Sequence, residues 1–133
     1  MTSTILFLCP HHAAKSVIAE AYFNRLAEQS RLAFNATSAG TDPEEVVSPA
    51  VVNLLRDEGF DVSQQRPRRV TAAELANAHR IISMGCILSD LEVAPDRVEQ
   101  WDDIPPVSQN ILVARDAIQV HVERLVAQLQ NEE

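Results

Sequence analysis

Ile5, Leu6, Phe7 and Leu8 form an unbroken apolar run, the pattern of a short strand buried on both faces. From residue 16 to about residue 30, Ile18, Ala21, Tyr22 and Leu26 recur at helical spacing, with Glu20 and Arg25 elsewhere around the turn. That spacing predicts an amphipathic helix. Residues 33–38 read as a second strand, ended by Ala39-Gly40. Ser48 as N-cap and Pro49 at the first helical position then open a helix carrying Val51, Val52, Leu54 and Leu55. Gly59 supplies its left-handed stop. Thr71-Ala72-Ala73-Glu74 is a capping box that starts a short helix through about Ala78. Strands are predicted at 80–84, centred on Ile81 and Ile82, and at 98–101. Ile111, Ala114, Ile118, Val122, Leu125 and Leu129 give the last helix a single apolar stripe, extending to about Gln130.

Strands alternating with helices imply an α/β fold: a parallel sheet covered on both faces, with ligands bound at the carboxyl ends of the strands. The 133 residues suit one domain over 1–133, and no repeat, low-complexity tract or linker interrupts them. A composition 46% hydrophobic and 23% charged is ordinary for a soluble core. The apolar run ending at Cys9 is too short to span a bilayer, and Met1-Thr2-Ser3-Thr4 has no basic region typical of a secretory signal. A cytoplasmic protein without a membrane segment is expected. Eleven basic against nineteen acidic residues give a net charge of −8, which disfavours nucleic acid and anionic membranes as partners. The one cationic stretch, Arg66-Pro67-Arg68-Arg69, reads as a solvated loop.

The chemistry concentrates between the first strand and the first helix, in Cys9-Pro10-His11-His12-Ala13-Ala14-Lys15-Ser16. A buried strand, a tight loop and a helix start together make an anion cradle, because backbone amides converge there and the helix end carries partial positive charge. A cysteine at this place has its thiolate favoured by the helix end and by Lys15. The thiolate can attack phosphorus or arsenic in a bound oxyanion while Ser16 hydrogen-bonds the sulfur.

This segment resembles the low-molecular-weight tyrosine phosphatases and, more closely, the arsenate reductases of the same fold. Many of those reductases follow their first strand with cysteine, a hydrophobe, His-Asn-Ala-Gly and Arg-Ser. The resemblance continues through Ser38-Ala39-Gly40-Thr41, Ser48-Pro49, Arg66-Pro67, Met84-Gly85-Cys86 and Trp101-Asp102. It implies a three-layer α/β sandwich around a central parallel four-stranded sheet. It also implies Cys9 as nucleophile, with Lys15 and Ser16 beside it, and an oxyanion held by His11, His12, Ala13, Ala14 and Lys15. The implied ligands are phosphate, arsenate or a phosphorylated molecule. No cofactor is required, although reduction of arsenate would draw on an external thiol.

Four departures from the family pattern bear on turnover. Lys15 stands where the family has arginine, whose planar fork grips two oxygens of a tetrahedral anion; an ammonium offers charge without the fork. Pro105-Pro106 aligns with the family's Asp-Pro pair, so the usual proton donor is gone. Asp102 and Asp103 just upstream are the candidates to replace it, against a reading as solvated loop carboxylates. His12 and Ala14 replace asparagine and glycine, which tolerate left-handed backbone more readily. Cys86 is the candidate redox partner of Cys9, but the companion cysteine of some relatives is Asp90 here, so the relay is incomplete.

His11 and His12 beside Cys9 lack the second pair that zinc spacing needs, and no metal is expected. His79 and His121 read as helix positions without partners, explained by surface placement. Two functions follow. One is a thiol-dependent arsenate reductase or phosphatase of reduced efficiency. The other is a catalytically inactive protein that binds oxyanions or phosphoproteins on the same fold. The oligomeric state is left open.

Overall fold

The computed structural model describes residues 2–86 and 93–132. Its elements run β1 (Ser3–Leu8), α1 (Lys15–Gln29), β2 (Phe34–Ala39), α2 (Pro49–Asp57), α3 (Ala72–Asn77), β3 (Arg80–Ser83), a 3-10 turn (Pro95–Arg97), β4 (Val98–Gln100) and α4 (Ile111–Glu132). All three strand pairings are parallel, in the order β2-β1-β3-β4. Predicted ends differ from these by one or two residues, the usual uncertainty of frayed termini.

The unbroken apolar run of β1 is explained by its central place. Ile5, Phe7 and Cys9 join a cluster containing Val17, Ile18 and Phe23 of α1, Val51 and Leu55 of α2, and the α4 stripe. Leu6 and Leu8 point the other way, into a smaller cluster with Ile81 of β3 and Leu75 and Ala78 at α3. Helices therefore cover both faces, giving three layers. Each large side chain buried this way contributes about 1.5–3 kcal/mol.

The α4 stripe is buried as its spacing predicts, at Ala114, Ile118, Val122, Leu125 and Leu129. In α1 the buried face is rotated from the predicted one. Val17, Ile18, Ala19, Phe23 and Ala27 are buried, while Ala21, Tyr22 and Leu26 are only partly covered. Tyr22 sits at that margin because its hydroxyl donates to Glu58 Oε1 at 2.5 Å. Such margins are set by partners, not by period.

The Thr71 capping box forms: its hydroxyl accepts from the Glu74 amide, and its own amide donates to the Glu74 carboxylate. Ser48 and Pro49 occupy the predicted N-cap and first helical positions, although the serine side chain makes no cap bond. At the other end of α2, Gly59 has φ +93°, and the amides of Gly59 and Phe60 return to the carbonyls of Arg56 and Leu55. This is the Schellman arrangement that favours glycine. No described helix is long and apolar enough to cross a membrane.

After β1 the chain crosses to β2 on one side, then later returns to β3 on the other. That reversal leaves a crevice at the carboxyl end of β1, where residues 9–16 lie.

Candidate active site

The carbonyls of residues 9–16 are drawn onto the neighbouring segment. Pro10 O accepts from the Asp42 amide at 2.7 Å, His11 O from Glu44 at 2.9 Å and Ala13 O from Ser48 at 2.8 Å. Among the described residues, no backbone N–H from residue 11 to residue 16 donates to a protein acceptor. A loop with its oxygens paired on one side leaves its amide hydrogens without a protein acceptor, the donor arrangement that anion-binding loops use. Gly40 makes this docking fit. A Cβ there would meet Pro10 O at 2.7 Å and Cys9 O at 3.0 Å, so any side chain would displace the loop.

Cys9 Sγ lies 3.0 Å from Ser16 Oγ, with both residues buried. Lys15, at the first position of α1, donates from Nζ to the carbonyl of Ile104 at 3.0 Å. The ammonium thus ties the loop to the segment following Trp101. A cleft of about 670 Å³ opens over these groups, walled by Pro10, Ala13, Ala14, Met84, Val107 and Ile111. Among the described residues its ionisable lining groups are Cys9, His11, Lys15 and Glu44.

Sequence reasoning foresaw the strain at His12 but missed its compensation. His12 has φ +49°, in the left-handed region, and is buried. The Arg68 amide donates to its Nδ1 at 2.9 Å, which fixes the proton on Nε2. Nε2–H then donates to Ser38 Oγ at 2.8 Å, and the Ser38 hydroxyl donates to Glu20 Oε1 at 2.9 Å. These four residues span the loop, α1, the end of β2 and the segment before α3. The relay holds His12 in a conformation that costs an ordinary side chain about 1–2 kcal/mol.

Burial, with the Arg68 charge as a second cause, lowers the His12 pKa from 6.5 to about 4, against a weaker upward pull from Glu74. The folded chain refuses a proton that the unfolded chain accepts. His12 therefore costs nothing above pH 6.5, and stability is lost as pH falls from about 6.5 towards 4. Burial raises the Glu20 pKa, which acts in the opposite direction. His12→Asn keeps Glu20 and removes the titrating ring. Urea unfolding from pH 7 to 4.5 is expected to show a steeper acid loss for wild type than for the variant. Equal slopes would contradict the buried neutral ring.

Neither candidate acid reaches the cleft. Asp102 is exposed, and Asp103 accepts from His121 Nε2 at 2.7 Å with its side chain 73% exposed; neither lines the opening over Cys9. Trp101 is buried just before them, packed on Phe7 and stacked on His121, which turns the carboxylates outward. No disulfide joins Cys9 and Cys86. Cys86 is buried in the cluster on the α3 face of the sheet, whereas Cys9 belongs to the opposite cluster. Asp90 lies outside the described residues.

Three expectations need correcting. The Arg66–Arg69 stretch is not merely solvated: Arg68 forms a two-pronged ion pair with Glu74, and Arg69 donates to Thr41 O. His79 lies between α3 and β3, not on a helix, and pairs with Glu132. His121, on α4, is held by Asp103. The partners of Arg69, His79 and His121 all lie distant in sequence. Among the described residues no three His, Cys, Asp or Glu side chains gather as a metal site.

The model of the family described as low molecular weight phosphotyrosine protein phosphatase matches residues 4–90. A Halobacterium salinarum protein described as "Putative arsenate reductase" is 29% identical, over 98% of this chain and 93% of its own length. Among solved structures, the thioredoxin-dependent arsenate reductase of Corynebacterium glutamicum superposes with a TM-score of 0.85 at 23% identity. That match covers 99% of this chain but 64% of the larger protein. An arsenate reductase in the phosphate-binding state gives 0.76 at 22% identity, covering 96% of this chain and 99% of the other. At these identities the structural likenesses establish the fold.

Proposed function

The chain belongs to the low-molecular-weight phosphotyrosine protein phosphatase family, and on that premise we propose that residues 9–16 bind phosphate or arsenate for attack by Cys9. The observation that carries this reading is the pairing of Cys9 Sγ with Ser16 Oγ at 3.0 Å inside a loop whose amides are unpaired. With phosphate esters, the thiolate forms an S–P bond and the leaving oxygen departs; water then hydrolyses the phosphocysteine. With arsenate, a thiol must supply the electrons that yield arsenite. Because Cys86 packs in a different hydrophobic cluster from Cys9, we assign that role to an external thiol.

Turnover is slower than in a relative carrying the full set of groups. Lys15 lacks the fork that would follow the anion into the transition state, and its ammonium is already engaged by Ile104 O. Those same two facts favour the second reading, a protein that retains the oxyanion without converting it.

Alkylation of Cys9 separates an anion site from a merely buried thiol. Phosphate and arsenate are each expected to slow modification of Cys9 by iodoacetamide saturably, read by mass spectrometry, with Cys86 as internal reference. A rate at Cys9 independent of either anion would overturn the proposal.

A further inference from the structure

We infer that His11 donates the proton to the leaving group, replacing the aspartic acid that Pro105-Pro106 has displaced. The inference rests on the reading of Cys9 as nucleophile. Of the ionisable groups lining the cleft among the described residues, Cys9 is the attacking atom and Lys15 is turned to a carbonyl. That leaves His11 and Glu44. His11 Nδ1 lies 3.0 Å from the main-chain carbonyl of Asp42, so this nitrogen carries a hydrogen and the ring orientation is set. Its other nitrogen, Nε2, is the one available for proton exchange.

The carboxylates of Glu44 and Asp42 stand 3.7 Å and 4.0 Å from Nδ1. Both carboxylates stand on the side of the ring away from Nε2, leaving that nitrogen as the one that can exchange a proton. The His11 carbonyl is anchored by the Glu44 amide, so ring and carboxylate are placed by one short segment. Asp103, the alternative acid, is occupied by His121 outside the cleft.

The step balances. The Cys9 thiolate forms the S–P bond, the P–O bond breaks, and its electron pair stays on the leaving oxygen, which takes the proton from His11 Nε2. Water then attacks the phosphocysteine, returns a proton to His11 and releases phosphate and the thiolate. Glu44 is a positioning residue in this scheme, acting through the ring.

Two substrates test it. Phenyl phosphate has a poor leaving group that needs protonation, whereas p-nitrophenyl phosphate has a good one that needs little. His11→Gln is expected to lower turnover of phenyl phosphate by about 100-fold, with a much smaller loss on p-nitrophenyl phosphate. The alkaline limb of the wild-type pH profile should vanish in His11→Gln, and Glu44→Gln should lose more turnover on phenyl phosphate than on p-nitrophenyl phosphate. Equal losses on both substrates in His11→Gln, or an alkaline limb that persists in it, would overturn the proposal and leave the nucleophile reading standing. Absence of Cys9-dependent turnover of p-nitrophenyl phosphate by wild type would overturn both.

Discussion

Cys9→Ser is expected to abolish turnover of p-nitrophenyl phosphate, and of arsenate with a thiol reductant, by about 10⁴-fold or more. A serine hydroxyl is not ionised at neutral pH, and among the described residues no side chain is hydrogen-bonded to it as a base. Ser16 Oγ, the group 3.0 Å from Cys9 Sγ, is itself a hydroxyl. The replacement is nearly isosteric at a site only 5% exposed, so the loop and its amides should persist. Phosphate binding is therefore expected to survive while chemistry is lost. Turnover comparable to wild type would remove Cys9 from the nucleophile's role. Loss of binding and turnover together would mean that the thiol is needed for the loop's shape. Steady-state kinetics and phosphate titration on the same preparation distinguish these results.

Lys15→Arg is expected to raise kcat/KM for p-nitrophenyl phosphate by about 10–100-fold. Charge-assisted, two-pronged contacts to an oxyanion are each worth about 1.5–3 kcal/mol, and the gain here is the part made only in the transition state. Lysine is committed at present: its ammonium sits 3.0 Å from Ile104 O. Arginine has five donors in a fixed fork, enough to keep one on that carbonyl and aim others into the cleft. The increase should fall mainly in kcat, because ground-state binding is already served by the backbone amides. An unchanged or lower kcat/KM would show that the limit lies elsewhere, in the strained His12 backbone or in proton donation.

Much of the fold was legible because it rests on local rules. The apolar run of β1, the Thr71 capping box and the α4 stripe are each decided by residues within a few positions of one another. Gly59 likewise meets a requirement of its own helix end. The proximity of Cys9 and Ser16 was also readable, since a tight turn into a helix brings such residues together.

What was not legible is nonlocal. Lys15 finds its carbonyl 89 positions away, and His12 receives the Arg68 amide 56 positions away. In the sequence the His12 ring reads only as an awkward substitute for asparagine. Its chain to Ser38 and Glu20 depends on the end of β2 and α1 meeting beside the loop. The one sequence signal was that Gly40 directly follows Ser38-Ala39; its full meaning needed the 2.7 Å approach to Pro10 O. Asp102 and Asp103 misled for the same reason, since Trp101 and His121 decide where that turn points.

The central claim is that the unpaired amides of residues 11–16 form an oxyanion site beside Cys9. Phosphate titration of the ¹⁵N-labelled protein, followed amide by amide, tests it most directly. Saturable shifts concentrated on residues 11–16, and reproduced in Cys9→Ser, are the expected result. Shifts scattered over the surface, or none at this loop at saturating phosphate, would contradict it.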